Sequence, residues 1–534
     1  MSIMTRIRRR LRRETALQFN RFRVWQLTRE IADSQSADSG QPVLFFNAST
    51  RLSGISQNAG FSLMISLMLQ KRGIPVHHFV CNRGMQLCVL GTDRENPDQS
   101  PPCRECTRTS RYIFAGSPTH PFSYQSDNKL NQQLNSLDLH GLLEFEYQNI
   151  PLGKLILPSL RWILRRHHLE NDDSTRKLAA AYIRSAWNVY REFSLCLAAV
   201  NPCAVVVFNG MFFPEAAARL AAREKGIKVF SHEVGMRPFS VFMTDGEATA
   251  YPVEVPDTFQ LTGVQNERLD NYLTRRFSGN FSTAGVQFWP EMKKIDGMLK
   301  ESAERYGALV PIFTNVIFDT SQVHANTLFE HMFAWLDDVV EVIRRHPDTL
   351  FVIRAHPDEV REGKASRESV ADWFKNNAHF RIKNLVFIPA DKFVSSYELI
   401  DRAKFVMVYN STVGLEASIK GKPVLCAGKA RYTQVPTVYL PGSKKEYLDK
   451  LEEFLAADTV KQQPDHKVNA RRVLYSQLFR ASLPLDDFLI EDEVWRGYVR
   501  IKPFTSDRFN PGESPVMDVI ADAIINGRQV IQDI

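Results

Sequence analysis

Two short runs of this chain set residues that could hold an anion just past apolar strands. LFVIRAHPDE places Arg354, His356 and Pro357 there, and FVMVYNSTVGLEASIKGK places Asn410, Ser411 and Thr412 where a helix opens. Hydroxyls at a helix start, with the outward N–H groups and the helix dipole, suit phosphate. Glu416, one to two turns in, could accept from ribose hydroxyls. An ordinary N-cap followed by a helix glutamate would explain the second run equally well. Arg354 and His356 add two potential cations at the same sheet edge, whereas His346-Pro347 reads as a helix end. FTNVIFD brings Asn315 and Asp319 to the start of the same region. In open parallel sheets, ligands bind outside the carboxyl ends of the strands.

Four of the seven cysteines cluster as Cys81, Cys88, Cys103 and Cys106, the last two as C-x-x-C within PPCREC. Four thiolates could hold a tetrahedral structural Zn²⁺. The first pair is spaced more widely than the usual knuckle, so chance clustering and transient redox chemistry stay open. Cys196, Cys203 and Cys426 read as small core hydrophobes.

The elements that must position these groups are α/β. PVLFFNAS, a helix with Phe61, Met64, Ile65 and Met68 on one face and Gly73 at its end, and PVHHFVC form one βαβ unit. CAVVVFNG, FPEAAARLAAREKG and IKVFSHE form another, with Asn209, His232 and Glu233 at strand ends. A second sheet begins at ALVPIFTNVIFD. The helix after it shows Leu328, Met332, Trp335, Val339 and Val342 on one face, and alternation continues to Gly428. The division is residues 1–40, a basic tail and linker; 41–300, a first Rossmann-like domain with a cysteine-containing insertion at 81–140; 301–435, a second such domain; and 436–534, a helical region. Polar residues 252–305 read as the inter-domain link. Two Rossmann-like domains facing a central cleft, closed by C-terminal helices, are the expected architecture, and such a cleft is the default binding site.

At 534 residues, two or more domains are expected. Hydrophobic residues at 44% and charged ones at 24% describe a globular protein. A net charge of +7 suits an acidic substrate or an anionic membrane. Arg6, Arg8, Arg9, Arg10, Arg12 and Arg13 crowd the N-terminus with no apolar run behind them, so they form no secretory signal. They read as a solvated tail or as a peripheral attachment to anionic lipid on the inner face of the cytoplasmic membrane, and a cytoplasmic location is expected. Basic residues are not interleaved with aromatics on a repeated motif, which argues against nucleic acid. Neither first strand runs into G-x-G-x-x-G, which argues against NAD.

RAHPDE, followed by NSTVGLEASIKGKPVLCAG, resembles bacterial capsule polysaccharide biosynthesis proteins, including the Kdo transferases of capsule assembly. It is more distantly similar to sialyl- and polysialyltransferases with His-Pro and Ser-Ser or Ser-Thr motifs. The resemblance spans residues 305–431 and extends loosely to SHEVGMRP and TDGEA. It implies a glycosyltransferase of the two-Rossmann (GT-B) type, using a nucleotide-activated donor such as a CMP-sugar and a glycan or lipid-linked acceptor. At matching positions, His356 would contact the nucleotide phosphate and could protonate the leaving group. Ser411 and Thr412 would hold phosphate, and Glu416 the ribose; Ser-Thr here in place of Ser-Ser loosens the nucleotide assignment. Transfer of this kind requires no metal or other cofactor, since cationic side chains and a helix dipole can stabilise the leaving phosphate. The general base would come from the N-terminal half, with Glu233 first and Asp245 and His232 behind it; a strand-end cap and a turn are their ordinary readings. A nucleotide-sugar epimerase of the same plan and a non-catalytic glycan- or nucleotide-binding component of an assembly complex are the alternatives.

Overall fold

The computed structural model describes residues 3–33, 40–48, 54–96, 99–279, 294–295, 297–494 and 497–533. Most of the expected first linker (34–39) and the middle of the expected inter-domain link (280–293) lie outside these residues. The chain divides into two compact units. Unit 1 is Met1–Ile163, Leu169–Thr249 and Leu478–Ile534; unit 2 is Leu164–His168 and Ala250–Gln477.

In unit 1 the N-terminal segment is a helix, α1 (Ile3–Ala32), rather than a tail. Its Val24, Leu27 and Ile31 are buried in the core. Asn20 bridges the Val499 carbonyl and the Ile501 N–H, both at 3.0 Å. The strands are β1 (Val43–Asn47), β2 (Val76–Cys81), β3 (Thr119–Phe122), β4 (Ala204–Phe208), β5 (Lys228–Val234) and β6 (Ser240–Thr244). The sheet order is Leu483–Pro484, β6, β5, β4, β1, β2, β3. All neighbours from β5 to β3 are parallel. β6 runs antiparallel to β5. Helix α2 (Gln57–Lys71) is capped by Ser56, which accepts from the Ala59 N–H at 3.3 Å, and Gly73 follows its end at φ +76°. It is buried almost all round, because α1 and the helix Pro515–Asn526 pack on it besides the sheet.

Unit 2 contains β7 (Ala308–Phe313), β8 (Thr349–Arg354), β9 (Leu385–Ile388), β10 (Val406–Val408) and β11 (Val424–Cys426), all parallel, in the order β9–β8–β7–β10–β11. Met332, Trp335, Val339 and Val342 are buried as their spacing predicts. Both sheets place their first strand beside their fourth, so successive crossovers leave in opposite directions from that point.

The expected C-terminal helical region is divided. Lys444–Ala456 and Pro464–Tyr475 belong to unit 2, and the chain then returns to unit 1. There it adds the strands Leu483–Pro484, Leu489–Glu491 and Tyr498–Ile501 before the helix Pro515–Asn526. Strands of two to four residues are too short to show a period of two.

Candidate functional site

In unit 2 the switch point lies between β7 and β10. Asn315 follows β7, and its Oδ1 accepts the Asn410 N–H at 3.3 Å, joining the two strand ends. Ser411 is buried, and its carbonyl accepts from the Tyr432 hydroxyl at 2.7 Å. Thr412 starts the short helix Val413–Ile419 and makes no side-chain capping bond. Gly414 is required there: a Cβ would stand 2.4 Å from the Tyr432 hydroxyl oxygen.

His356 follows β8, and Pro357 opens a turn of 3₁₀ helix behind it. The Asp358 N–H donates to His356 Nδ1 at 3.2 Å. That bond assigns the neutral tautomer with the proton on Nε2. Burial lowers the ring's pKa and Arg354 lowers it further, while Asp358 and Asp319 oppose them. His356 therefore offers a neutral N–H donor, not the expected cation.

The neighbouring expectations change more. Arg354 is 2% exposed and donates to the carbonyls of Ala355 (2.6 Å) and Lys392 (3.0 Å), so it ties strand-end loops together rather than facing a ligand. Burial lowers its pKa to about 10. Glu416 was expected to be open to ribose, yet it is 2% exposed. Its Oε1 accepts from Arg276 Nε at 2.8 Å and Nη2 at 2.6 Å, and its Oε2 from the Tyr397 hydroxyl at 2.7 Å. Asp319 accepts from the Ser321 hydroxyl and backbone N–H, shaping the turn into the next segment. Arg276 and Tyr397 were not singled out from the sequence, since nothing in either local run marks a buried pair.

Glu359, inside the RAHPDE motif, is 3% exposed, and burial raises its carboxyl to about 8 against one hydrogen bond from the Val370 N–H at 3.2 Å. Elsewhere in unit 2, His167, His168 and His331 bring ring nitrogens within 4.8 Å of one another. The Ala334 N–H donates to His331 Nδ1 (3.1 Å), which leaves His331 Nε2–H to meet His168 Nε2 (3.2 Å) and His168 Nδ1–H to meet Glu368 (2.5 Å). Such a chain of tautomers satisfies the ring nitrogens of His168 and His331 as a hydrogen-bond relay.

In unit 1 the corresponding point lies between β1 and β4. Glu233, on β5, accepts from Asn209 Nδ2 (2.9 Å), Asn58 Nδ2 (3.1 Å) and the Val234 N–H (2.9 Å). Three donors fix the carboxylate's orientation. The other two base candidates are corrected. His232 is 1% exposed, and burial drives its pKa down to about 4, so its ring lies inside the fold. Asp245 follows β6, and because β6 is antiparallel it emerges at the amino end of β5, 3.6 Å from Lys228. It lies at the opposite edge of the sheet from Glu233.

Two doubly wound, mainly parallel sheets with polar side chains gathered at their switch points define an α/β protein of the class whose ligands are generally found at strand ends. Residues 267–436 match the family model described as capsule polysaccharide biosynthesis protein. No curated protein matches the sequence. Among solved structures, the beta Kdo 2,4 transferase of KpsC from Thermosulfurimonas dismutans is 13% identical, covering 60% of this chain and 87% of that one, at a TM-score of 0.36. The beta Kdo 2,7 transferase of the same protein is 14% identical, covering 60% and 86%, at 0.31. UDP-GlcNAc 2-epimerase from Neisseria meningitidis, bound to UDP-GlcNAc, is 14% identical, covering 82% and 99%, at 0.22. Likeness this slight assigns no activity.

Proposed function

We propose that unit 2 binds a nucleotide-activated sugar and that the protein is a glycosyltransferase, passing that sugar to a glycan or lipid-linked acceptor in surface polysaccharide assembly. The observation that carries this reading is the junction of three strand ends: Asn315 bonded to Asn410, the hydroxyls of Ser411 and Thr412, and His356 with its proton on Nε2. All of these lie within the family match. His356 Nε2–H donates to a phosphate oxygen of the donor, and the Thr412 hydroxyl supplies a second donor. As the sugar–phosphate bond breaks, charge grows on that phosphate, and fixed donors gain strength with it. Glu233 is the acceptor-side carboxylate, held by three N–H groups to take the proton of an attacking hydroxyl.

Thermal unfolding with CMP, UDP and GDP tests the donor site. A nucleotide at about 100 times its Kd should stabilise the protein by about 2.7 kcal/mol, and less in His356→Ala. Equal shifts in wild type and variant, or none with any nucleotide, would overturn this assignment.

Peripheral contact with an anionic membrane fits the same role. No helix among the described residues is long and apolar enough to cross a membrane. On α1, however, Met4, Ile7, Leu11, Phe22 and Trp25 are exposed with Arg8, Arg10 and Arg12 among them.

A further inference from the structure

Four cysteines of unit 1 are brought together by three separate pieces of chain. Cys81 ends β2, Cys88 lies in the loop after it, and Cys103 and Cys106 occupy the first turn of α3 (Cys103–Ile113). All four line one small cavity of about 30 Å³, together with Met85, Leu90 and Pro101. None of the four is in a disulfide. Cys88 interacts electrostatically with each of the other three.

The loop is shaped around the sulfurs. Cys81 and Cys88 are each followed at the third position by a glycine, Gly84 and Gly91. The Gly84 N–H donates to Cys81 Sγ at 3.2 Å, and the Gly91 N–H donates to the Cys88 carbonyl at 3.0 Å. A Cβ on Gly84 would stand 2.1 Å from the Phe122 ring, and one on Gly91 would stand 2.7 Å from Pro101 and 3.1 Å from Cys88 Sγ. Arg83, between Cys81 and Gly84, is held at φ +58°, a conformation costly for a side chain of its kind. Two Cys-x-x-Gly turns, the first with its N–H on sulfur, together with a Cys-x-x-Cys helix start, supply four ligands of one type from a loop with little apolar content of its own.

We propose that Cys81, Cys88, Cys103 and Cys106 form a structural site for a single tetrahedral Zn²⁺ that staples the Cys88 segment and α3 to the end of β2. Binding draws the four sulfurs inward as thiolates and releases their protons to solvent. The site is separate from donor recognition, which lies in unit 2.

Metal analysis of the purified full chain, with stepwise release by an organomercurial and a zinc-binding dye, tests it. The expected result is about one zinc per chain, freed as about four thiolates are modified. Cys88→Ser and Cys106→Ser should lose the metal, and Cys203→Ser, an exposed cysteine outside the cluster, should keep it. Exchange with Cd²⁺ in the wild type should give thiolate-to-metal charge-transfer absorption, a readout that does not depend on the variants folding. Wild-type protein that holds no metal while its cysteines are reactive thiols, iron with visible absorption in place of zinc, or disulfides within the cluster would each overturn the assignment.

Discussion

At the scale of single residues, types and positions along strands were legible, but the direction of each side chain was not. Asn410, Ser411 and Thr412 stand at a strand end because a short apolar run followed by hydroxyls and a glycine can do little else. Arg354 has the same local signature, yet it turns inward to satisfy carbonyls. Asp245 stood as a base candidate behind Glu233, and only the antiparallel direction of β6 shows that it faces the other end of the sheet. Glu359 carries the same lesson into pH dependence. Burial raises its carboxyl from 4.5 to about 8 in the folded chain. Between those values the unfolded chain has lost the proton and the folded chain keeps it, so this group makes stability fall as pH rises. Glu359→Gln removes the effect. The variant should gain on the wild type from pH 5 to pH 8, by on the order of 2 kcal/mol, in urea unfolding followed across that range. A difference that stays constant with pH would show that Glu359 is ionised in the fold.

Among elements, the long strands and α2 were plain in the sequence, while α1 was hidden by its arginines. At 100° per residue its buried Val24, Leu27 and Ile31 lie on one side, and its exposed Met4, Ile7, Leu11, Phe22 and Trp25 lie on the other. Two opposed apolar stripes cancel the amphipathic pattern that a single stripe would give, and the segment then reads as a basic tail. The outer stripe, with exposed Arg8, Arg10 and Arg12, matches a helix lying at a lipid interface. Each basic residue near an anionic surface adds about 1 kcal/mol of attraction. Co-sedimentation should therefore show binding to vesicles containing phosphatidylserine and much less to neutral ones. Phe22→Ser with Trp25→Ser should weaken binding about tenfold without unfolding the protein, since both side chains are outside the core. Undiminished binding by that double variant would assign the stripe to another partner.

At the scale of the whole molecule, the division into two α/β units was legible because each sheet recurs with its own strand–helix pace. The return of the chain after Gln477 was not, because contact between residues hundreds apart leaves no local trace. Residues 436–534 looked like a helical appendix, yet Leu483, Leu485, Phe488, Leu489, Val499, Ile501, Phe509, Met517 and Ile520 are all buried in the core of unit 1. Each such side chain contributes roughly 1.5–3 kcal/mol on burial, so together they outweigh a typical domain stability of about 5–15 kcal/mol. A chain ending at Gln477 keeps the parallel strands of both sheets intact but strips α1 and α2 of their packing partners. It should be expressed as insoluble material or unfold without a cooperative transition. Should the truncated chain prove soluble and show a sharp urea transition instead, the last 57 residues (534 − 477) would be an accessory and not a layer of the unit 1 core.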